Sequence, residues 1–455
     1  MTLPITYIPK RVSILGAARS GCAAAQFLSH KGIPVFISDI SPAEKMETVL
    51  AQNRCGHLPH EAGGHTARVL EADVIVLSPG VRSNLPMLIE ARRTGIAVWS
   101  EIELAFRFTK GKYIAVTGSS GKSTTASLLG SIMEASRIPH VVAGNIGLPL
   151  ISVAPALGPD SIVVAEISSF QLENIDLFKP RVATVTNLMK NHLDRYESED
   201  AYFDAKKKIA GNLTKKEHLV LNAGDARLRQ WAGEFEGKTN LVFFGNKRVA
   251  SDCVWHDGQA VYTRFGGLSE KLLDVKTMKI RGRHNYENAC AAAAAAKVAG
   301  VANESIAAGI TSFAGLEHRL EYVAEVHGIR YFNDSKSTTA ESIVCAVSAF
   351  EDNVFLIAGG RDKGCDFSIV KEPIARHVKG VCLIGEAADR MQEEWNGHAP
   401  ITRAASLSEA LLSVSGKASV GDVVVFSPGC SSFDMFKNFE HRGQVFKQLV
   451  RELTE

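Results

Sequence analysis

Short runs of apolar residues, each closing on glycine or a polar residue, alternate along this chain with stretches of helical period. In the first hundred residues Val12–Leu15 predicts a strand, 16–21 a turn, 22–30 a helix, and Val35–Ser38 a second strand ending at Asp39. Val74–Leu77 is a further buried strand, running into Ser78-Pro79-Gly80. This rhythm predicts a doubly wound parallel sheet, with ligand expected at the carboxyl ends of the strands. A second alternating unit begins near Lys112, with strands at 161–165, 182–186, 218–221 and 241–244; the first three run into Glu166, Asn187 and Asn222. The alanine-rich run 285–299 predicts a closely packed helix, because alanine loses no side-chain entropy on becoming helical. The remainder predicts a third α/β unit, with strands ending at Asp334, at 354–358, at 381–384 and at Val423–Phe426. No repeat of solenoid length interrupts this order.

The strongest chemical signal is 113–125, YIAVTGSSGKSTT. Its first residues predict a buried strand, Gly118 to Gly121 a turn, and Lys122 onward a helix. Amide groups at a helix N-terminus face an anion, Lys122 adds a point charge, and Ser123 or Thr124 offers a hydroxyl to a magnesium ion. The usual nucleotide loop has glycine five positions before Gly121, where this chain has Val116, so the loop is shorter than the standard one. Glu166 stands at a strand end, where a hard oxygen ligand for magnesium belongs; capping a helix is the plainer alternative. His192, in NHLD, reads by itself as a loop histidine, and nothing in the spacing of Lys206, Lys207 and Lys208 singles one out. Arg319, Asp334, Lys336 and Lys363 lie at loop starts or in Gly-rich turns, where cations suit phosphate or carboxylate groups. Near the N-terminus a GxGxxG fingerprint is damaged, since its middle glycine is Ala18, while Asp39 stands where a ribose-binding acid would. Dinucleotide binding, binding of another nucleotide-like group and a purely structural turn all remain open there.

Bulk properties narrow the field. At 455 residues the chain exceeds one core and fits about two to four domains. A net charge of +2 with 22% charged residues gives no basic field for nucleic acid or a membrane surface. Eight scattered cysteines without a CxxC pair suit a reducing compartment, and no signal-like or membrane-length apolar run is present, so the expectation is a soluble, cytoplasmic protein.

Taken together, GSSGKST, EISSFQLE, NHLD, GRHNYENA, GLEHRLE and NDSKSTTAES resemble the Mur ligase family over most of the chain. The resemblance implies a Rossmann-like N-terminal domain for a UDP-linked substrate (1–102), a P-loop-type central ATPase (103–315) and a Rossmann-like C-terminal domain for an amino acid (316–455). It implies ATP-dependent addition of D-glutamate to UDP-N-acetylmuramoyl-L-alanine through an acyl phosphate, with two magnesium ions. Those two small molecules are the expected partners, with no nucleic acid or membrane, and the expected chain is a monomer. By position, Gly118, Gly121, Lys122, Ser123 and Thr124 match the phosphate loop. Ser123, Glu166, His192 and a carbamylated Lys206 match the metal site; Lys122, His192 and Lys206 carry the catalytic roles. Asn285, Asn288, Arg319, Asp334 and Lys336 match the nucleotide pocket, and Asn145 a substrate-binding asparagine. Thr338, Lys363, Ser432 and Phe439 match the D-glutamate pocket. Arg19, Ser20, Asp39, Ser78 and Gly80 match the UDP region, although the usual basic residue after the second strand is replaced by Ser41. Two rivals account for less: a nicotinamide-dependent oxidoreductase leaves the phosphate loop and Glu166 unexplained, and a nucleotide-binding regulator or motor ATPase needs no amino-acid pocket.

Overall fold

The computed structural model describes residues 2–192, 195–362 and 364–453. Among these, three sheets form two compact units: one reaches to Met278 and includes Tyr286–Ser312, and the other comprises Lys279–Asn285 with the chain from Phe313 onward.

In the first unit, β1 (Val12–Leu15), β2 (Val35–Ser38), β3 (His60–Glu61), β4 (Val74–Leu77) and β5 (Ala97–Ser100) form a parallel sheet in the order β3-β2-β1-β4-β5. The central strands are buried throughout, as near-continuous apolar runs covered on both faces should be. The order reverses between β1 and β4, so the turns after these strands meet: Ser78 Oγ donates to Gly16 O at 2.8 Å. Gly16 has φ 94°, and a Cβ there would lie 2.7 Å from that of Ser78. The helix after β1 spans Arg19–His30, starting earlier than the predicted 22–30, so the turn is confined to Gly16, Ala17 and Ala18. Gly21 falls within that helix, where a Cβ would sit 1.8 Å from Gly16 O, so packing against the turn requires glycine.

The second sheet contains β6 (Lys112–Thr117), β7 (His140–Gly144), β8 (Ile162–Glu166), β9 (Val182–Val185), β10 (His218–Asn222), β11 (Asn240–Gly245), β12 (Cys253–His256), β13 (Ala260–Phe265) and β14 (Leu268–Asp274). Its order is β14-β13-β12-β11-β10-β9-β6-β8-β7. The predicted strands are all present to within a residue or two. The antiparallel meander β12-β13-β14 went unpredicted, because β14 (LSEKLLD) is an exposed, mainly polar edge with too little apolar alternation to announce itself. The alanine-rich helix spans Arg283–Val298, and Ala289 to Ala296 are completely buried, as its low bulk implied.

In the second unit β15 (Glu321–Val326), β16 (Ile329–Asn333), β17 (Val354–Gly359), β18 (Val378–Ile384), β19 (Ile401–Arg403) and β20 (Val423–Phe426) take the order β15-β16-β20-β17-β18-β19. All neighbours run parallel except β15, which forms an antiparallel edge with β16. All eight cysteines are free, and no helix among the described residues is long and apolar enough to cross a membrane.

Glu101 opens the helix Glu101–Phe108 and is 1% exposed. One oxygen accepts Ile151 N–H at 2.7 Å while the other, Oε2, is buried without a hydrogen-bond partner among the described residues. Burial pushes its carboxyl up to about 7, against the backbone N–H groups of Ile151 and Leu150. Because the folded value lies above the unfolded one, the stability linked to this proton is complete below about pH 4.5 and is lost as pH climbs towards 7. Glu101→Gln mimics the protonated acid. Its stability is expected to exceed that of the wild type increasingly across this window, by up to about 3 kcal/mol at pH 8, and its melting temperature to rise with it. Parallel melting curves for the two proteins from pH 5 to 8 would refute the assignment.

Candidate active site

The first unit builds its site at the carboxyl end of β6. Gly118 and Gly121 have φ of 144° and 79°, where a side chain is strained. Added Cβ atoms would also lie 1.9 Å from Thr186 Oγ1 and 2.2 Å from Asn288 Oδ1. Residues at the end of β9 brace the loop between them: Ser119 N–H donates to Asn187 O at 3.0 Å, Ser120 N–H to Asn187 Oδ1 at 2.8 Å, and Thr186 Oγ1 to Ser120 O at 2.5 Å. Lys122 Nζ donates to Gly118 O at 3.0 Å and Ser119 O at 3.1 Å, curling over the loop it is meant to serve. Behind it the helix Lys122–Ala135 is anchored by Gly309, where a Cβ would come within 2.5 Å of Ile132 Cα. Val116 is completely buried inside β6 and pairs in register with Glu166 on β8. The position that carries glycine in the common pattern is therefore strand, and the cradle begins at Gly118.

That register delivers Glu166 to the loop. It is 1% exposed; Oε1 accepts Asn145 Nδ2 at 2.8 Å, and Oε2 is buried with no hydrogen-bond partner among the described residues. A buried carboxylate oxygen left in this state is costly unless a cation meets it, and as a hard oxygen donor at the end of the strand next to β6 it fits a hard divalent ion. Lys206, on the helix Glu199–Lys207, is also 1% exposed. Its Nζ donates to Gly118 O at 2.8 Å and lies 4.5 Å above the Tyr202 ring. Burial, seconded by repulsion from Lys122 and opposed by Glu166, pushes Lys206 down to about 6. The Tyr202 ring lies 5.8 Å from that of His192, which has φ 56° and packs 4.9 Å from Phe170. Lys122, Ser123, Thr124, Asn145, Glu166, His192, Lys206 and Asn288 are thus assembled around one loop. Asp194, beside His192 in the sequence motif, lies outside the described residues.

Of the residues matched to the UDP region, Asp39 is committed locally: Oδ2 accepts Ala17 N–H at 2.6 Å and Oδ1 accepts Ser41 N–H at 2.7 Å. Burial opposes its ionisation, but these N–H groups hold its carboxyl below the usual range. The Arg19 guanidinium donates to Gly147 O, and Ser20 follows it in the first helical turn. Ser78 is buried and Gly80 exposed in the loop after β4. Arg195, absent from the sequence reading, donates to Pro79 O at 2.9 Å and Val81 O at 3.0 Å and so holds that loop; it pairs with Glu173 at 3.2 Å and lies 4.0 Å above the Phe170 ring. Thr186 and Asn187 were also missed as loop braces. The polar ending of β9 was the available signal.

In the second unit Asp334 follows β16, accepting Ser427 Oγ at 2.8 Å and Leu320 N–H at 3.0 Å. The packing around its carboxyl group pushes it up to about 7, against the pull of Ser427, Leu320, Arg319 and Arg442. Lys336 Nζ stands 4.2 Å over the ring of Phe439, which opens the helix Phe439–Glu452. Ser432 is buried and Thr338 partly so. Asn285 Nδ2 donates to Arg281 O at 2.7 Å. Lys363 lies outside the described residues. Buried Arg442 was not foreseen, since arginine in an amphipathic helix ordinarily faces water; it donates to Ser335 O at 2.7 Å and Cys430 O at 3.0 Å and locks the DSK loop to the SPGCSS loop.

Comparison with known proteins places the chain in a family. Residues 10–100 match the Mur ligase MurD-like N-terminal domain, 116–296 the Mur ligase middle domain, and 318–430 the Mur ligase glutamate ligase domain. The chain belongs to the Mur ligase family. Among its relatives, the UDP-N-acetylmuramoylalanine-D-glutamate ligase of Acidobacterium capsulatum is 40% identical over 444 residues, covering 97% of this chain and 96% of the relative. The ligase of the same name from Koribacter versatilis is 37% identical, with 98% of each chain covered. The fold is shared with the UDP-N-acetylmuramate-alanine ligase of Thermotoga maritima, at TM-score 0.58, 19% identity and coverage of 98% and 100%. It is shared also with the MurF ligase of Thermotoga maritima in complex with ADP, at TM-score 0.60, 15% identity and coverage of 97% and 98%.

Proposed function

We infer that this chain is an ATP-dependent amide ligase of peptidoglycan precursor synthesis, working in the cytoplasm, that joins D-glutamate to UDP-N-acetylmuramoyl-L-alanine. The observation that carries this reading is the pairing, at one phosphate loop, of Glu166, whose buried Oε2 has no hydrogen-bond partner among the described residues, with buried Lys206 on Gly118 O. Full-length similarity to two D-glutamate ligases supports the substrate assignment.

In this reading residues 1–102 take the UDP end, through Arg19, Ser20, Asp39, Ser78 and Gly80; 103–315 take ATP; and 316–455 take D-glutamate, through Thr338, Lys363, Ser432 and Phe439. The loop amides and Lys122, with Asn288, hold the ATP phosphates in the first unit, and Asn285, Arg319, Asp334 and Lys336 of the second unit are those that the family resemblance matches to the nucleotide. Asn145, tied to Glu166, positions the substrate carboxylate. A carboxylate oxygen bonds to the γ-phosphorus as the bond to ADP breaks; the amine of D-glutamate then bonds to the acyl carbon, phosphate leaves, and the amine gives up a proton. Such phosphoryl transfer needs positioning and charge neutralisation above all.

Ser123, Glu166, His192 and carbamylated Lys206 would hold two magnesium ions, whose chemistry is to neutralise phosphate charge. Carbamylation requires the free amine. Burial, which pushes Lys206 down to about 6, favours that neutral amine at pH 7, where an ordinary lysine is almost wholly charged. The amine nitrogen bonds to the carbon of carbon dioxide and releases one proton to water, leaving an anion where a bare lysine would repel a metal. Phosphate release tests the whole reading: it should require ATP, magnesium, UDP-N-acetylmuramoyl-L-alanine and D-glutamate together. Release from ATP alone would replace the ligase with an ATPase.

A further inference from the structure

The carboxyl end of β2 holds a polar cluster that the phosphate chemistry leaves unused. Ser38 closes the strand at 0% exposure; its hydroxyl donates to Glu61 Oε1 at 2.7 Å and lies 2.7 Å from His65 Nδ1. Glu61 is held as a carboxylate: burial opposes ionisation, but Thr66, through its N–H and hydroxyl, and Ser38 keep its carboxyl below the usual range. A hydroxyl has one proton, and the short contact to a carboxylate outcompetes the 3.4 Å contact from Ser38 to Gly64 O. His65 must therefore donate from Nδ1 to Ser38 Oγ. In the neutral imidazole that leaves the lone pair on Nε2, which has no hydrogen-bond partner among the described residues. Burial keeps the imidazole below its usual range, against the pull of Asp39 and Glu61, so the acceptor form is the one present at neutral pH.

In doubly wound sheets the acid at the end of the second strand takes a ribose hydroxyl. Here each oxygen of Asp39 already accepts one backbone N–H, and His65 Nε2 is a further acceptor at this strand end, held there through Ser38. We propose that His65 is a specificity-determining residue, accepting through Nε2 a hydrogen bond from a donor on the substrate's nucleoside: a ribose hydroxyl or the imide N–H of uracil. This rests on reading the N-terminal domain as the UDP site. It also gives the strand end that lacks a basic residue at Ser41 a different, neutral means of recognition.

The test is steady-state kinetics on wild type, H65L and H65Q with UDP-N-acetylmuramoyl-L-alanine and with its 2′-deoxy, 3′-deoxy and N3-methyl uridine analogues. H65L should raise KM for the UDP-linked substrate about tenfold, leaving kcat and the KM values for ATP and D-glutamate within about twofold. One analogue should cost the wild type about tenfold and cost H65L nothing more, and its identity tells ribose from uracil. Unchanged KM in H65L, or every analogue penalised equally in both proteins, overturns the assignment. Should H65L fail to fold, the analogue series on wild type and H65Q decides, and absence of any analogue penalty overturns it. A wild type that does not turn over the parent substrate overturns the underlying activity, which separates that failure from a failure of His65 alone.

Discussion

Lys206→Ala is expected to lower turnover at least about a hundredfold and to regain part of it when millimolar formate or acetate is added, because a small carboxylate can enter the space of the missing carbamate. The argument starts from burial. Lys206 is 1% exposed, beside Lys122 and below the loop, with Gly118 O and the Tyr202 face receiving its amine and Glu166 near enough to oppose the loss of its proton. A charged lysine there would oppose both Lys122 and any metal at Glu166, whereas a carbamate reverses the sign of the site. Carbon-13 NMR under labelled carbon dioxide should give a carbamate signal in the wild type that Lys206→Ala lacks. Wild-type rates in the variant without added acid would remove the carbamate from the mechanism.

Glu166→Gln should cost about a thousandfold in turnover and weaken the dependence on magnesium, with the fold intact. The amide keeps an oxygen for Asn145 Nδ2 and the volume of the side chain, so the change isolates one buried charge. In the wild type that charge offers Oε2, without a hydrogen-bond partner among the described residues, to a cation. Magnesium titration of phosphate release reads the effect, and an unchanged half-saturating concentration would show that Glu166 holds no ion.

The outcome at particular residues shows what could be read early. The strands at Val12–Leu15, Val35–Ser38, Val74–Leu77 and Val423–Phe426 were legible because each is a continuous apolar run cut off by glycine or a polar residue, which buried parallel strands require. The meander from Cys253 to Asp274 was not, because an exposed edge strand need not be apolar. Glu166 stood out as an acid ending an apolar run. Lys206 was invisible without the family resemblance: three lysines in a row look alike until the fold buries one of them. Arg195, Arg442 and His65 were missed for a related reason, since their partners lie on other elements.

By itself the sequence determined the periodicity of the elements, and with it the α/β class, and the glycines that only a phosphate loop of this curvature needs. Those are local properties, set by side-chain bulk, backbone freedom and patterns repeating within a few residues. The tertiary structure alone decided which charges lose their water and which face one another. Pairing Val116 with Glu166 puts a carboxylate beside the loop, and packing the helix Glu199–Lys207 beneath Gly118 pushes Lys206 towards neutrality. Desolvation and Coulomb interaction depend on distance through space, and distance through space is what a linear pattern does not contain.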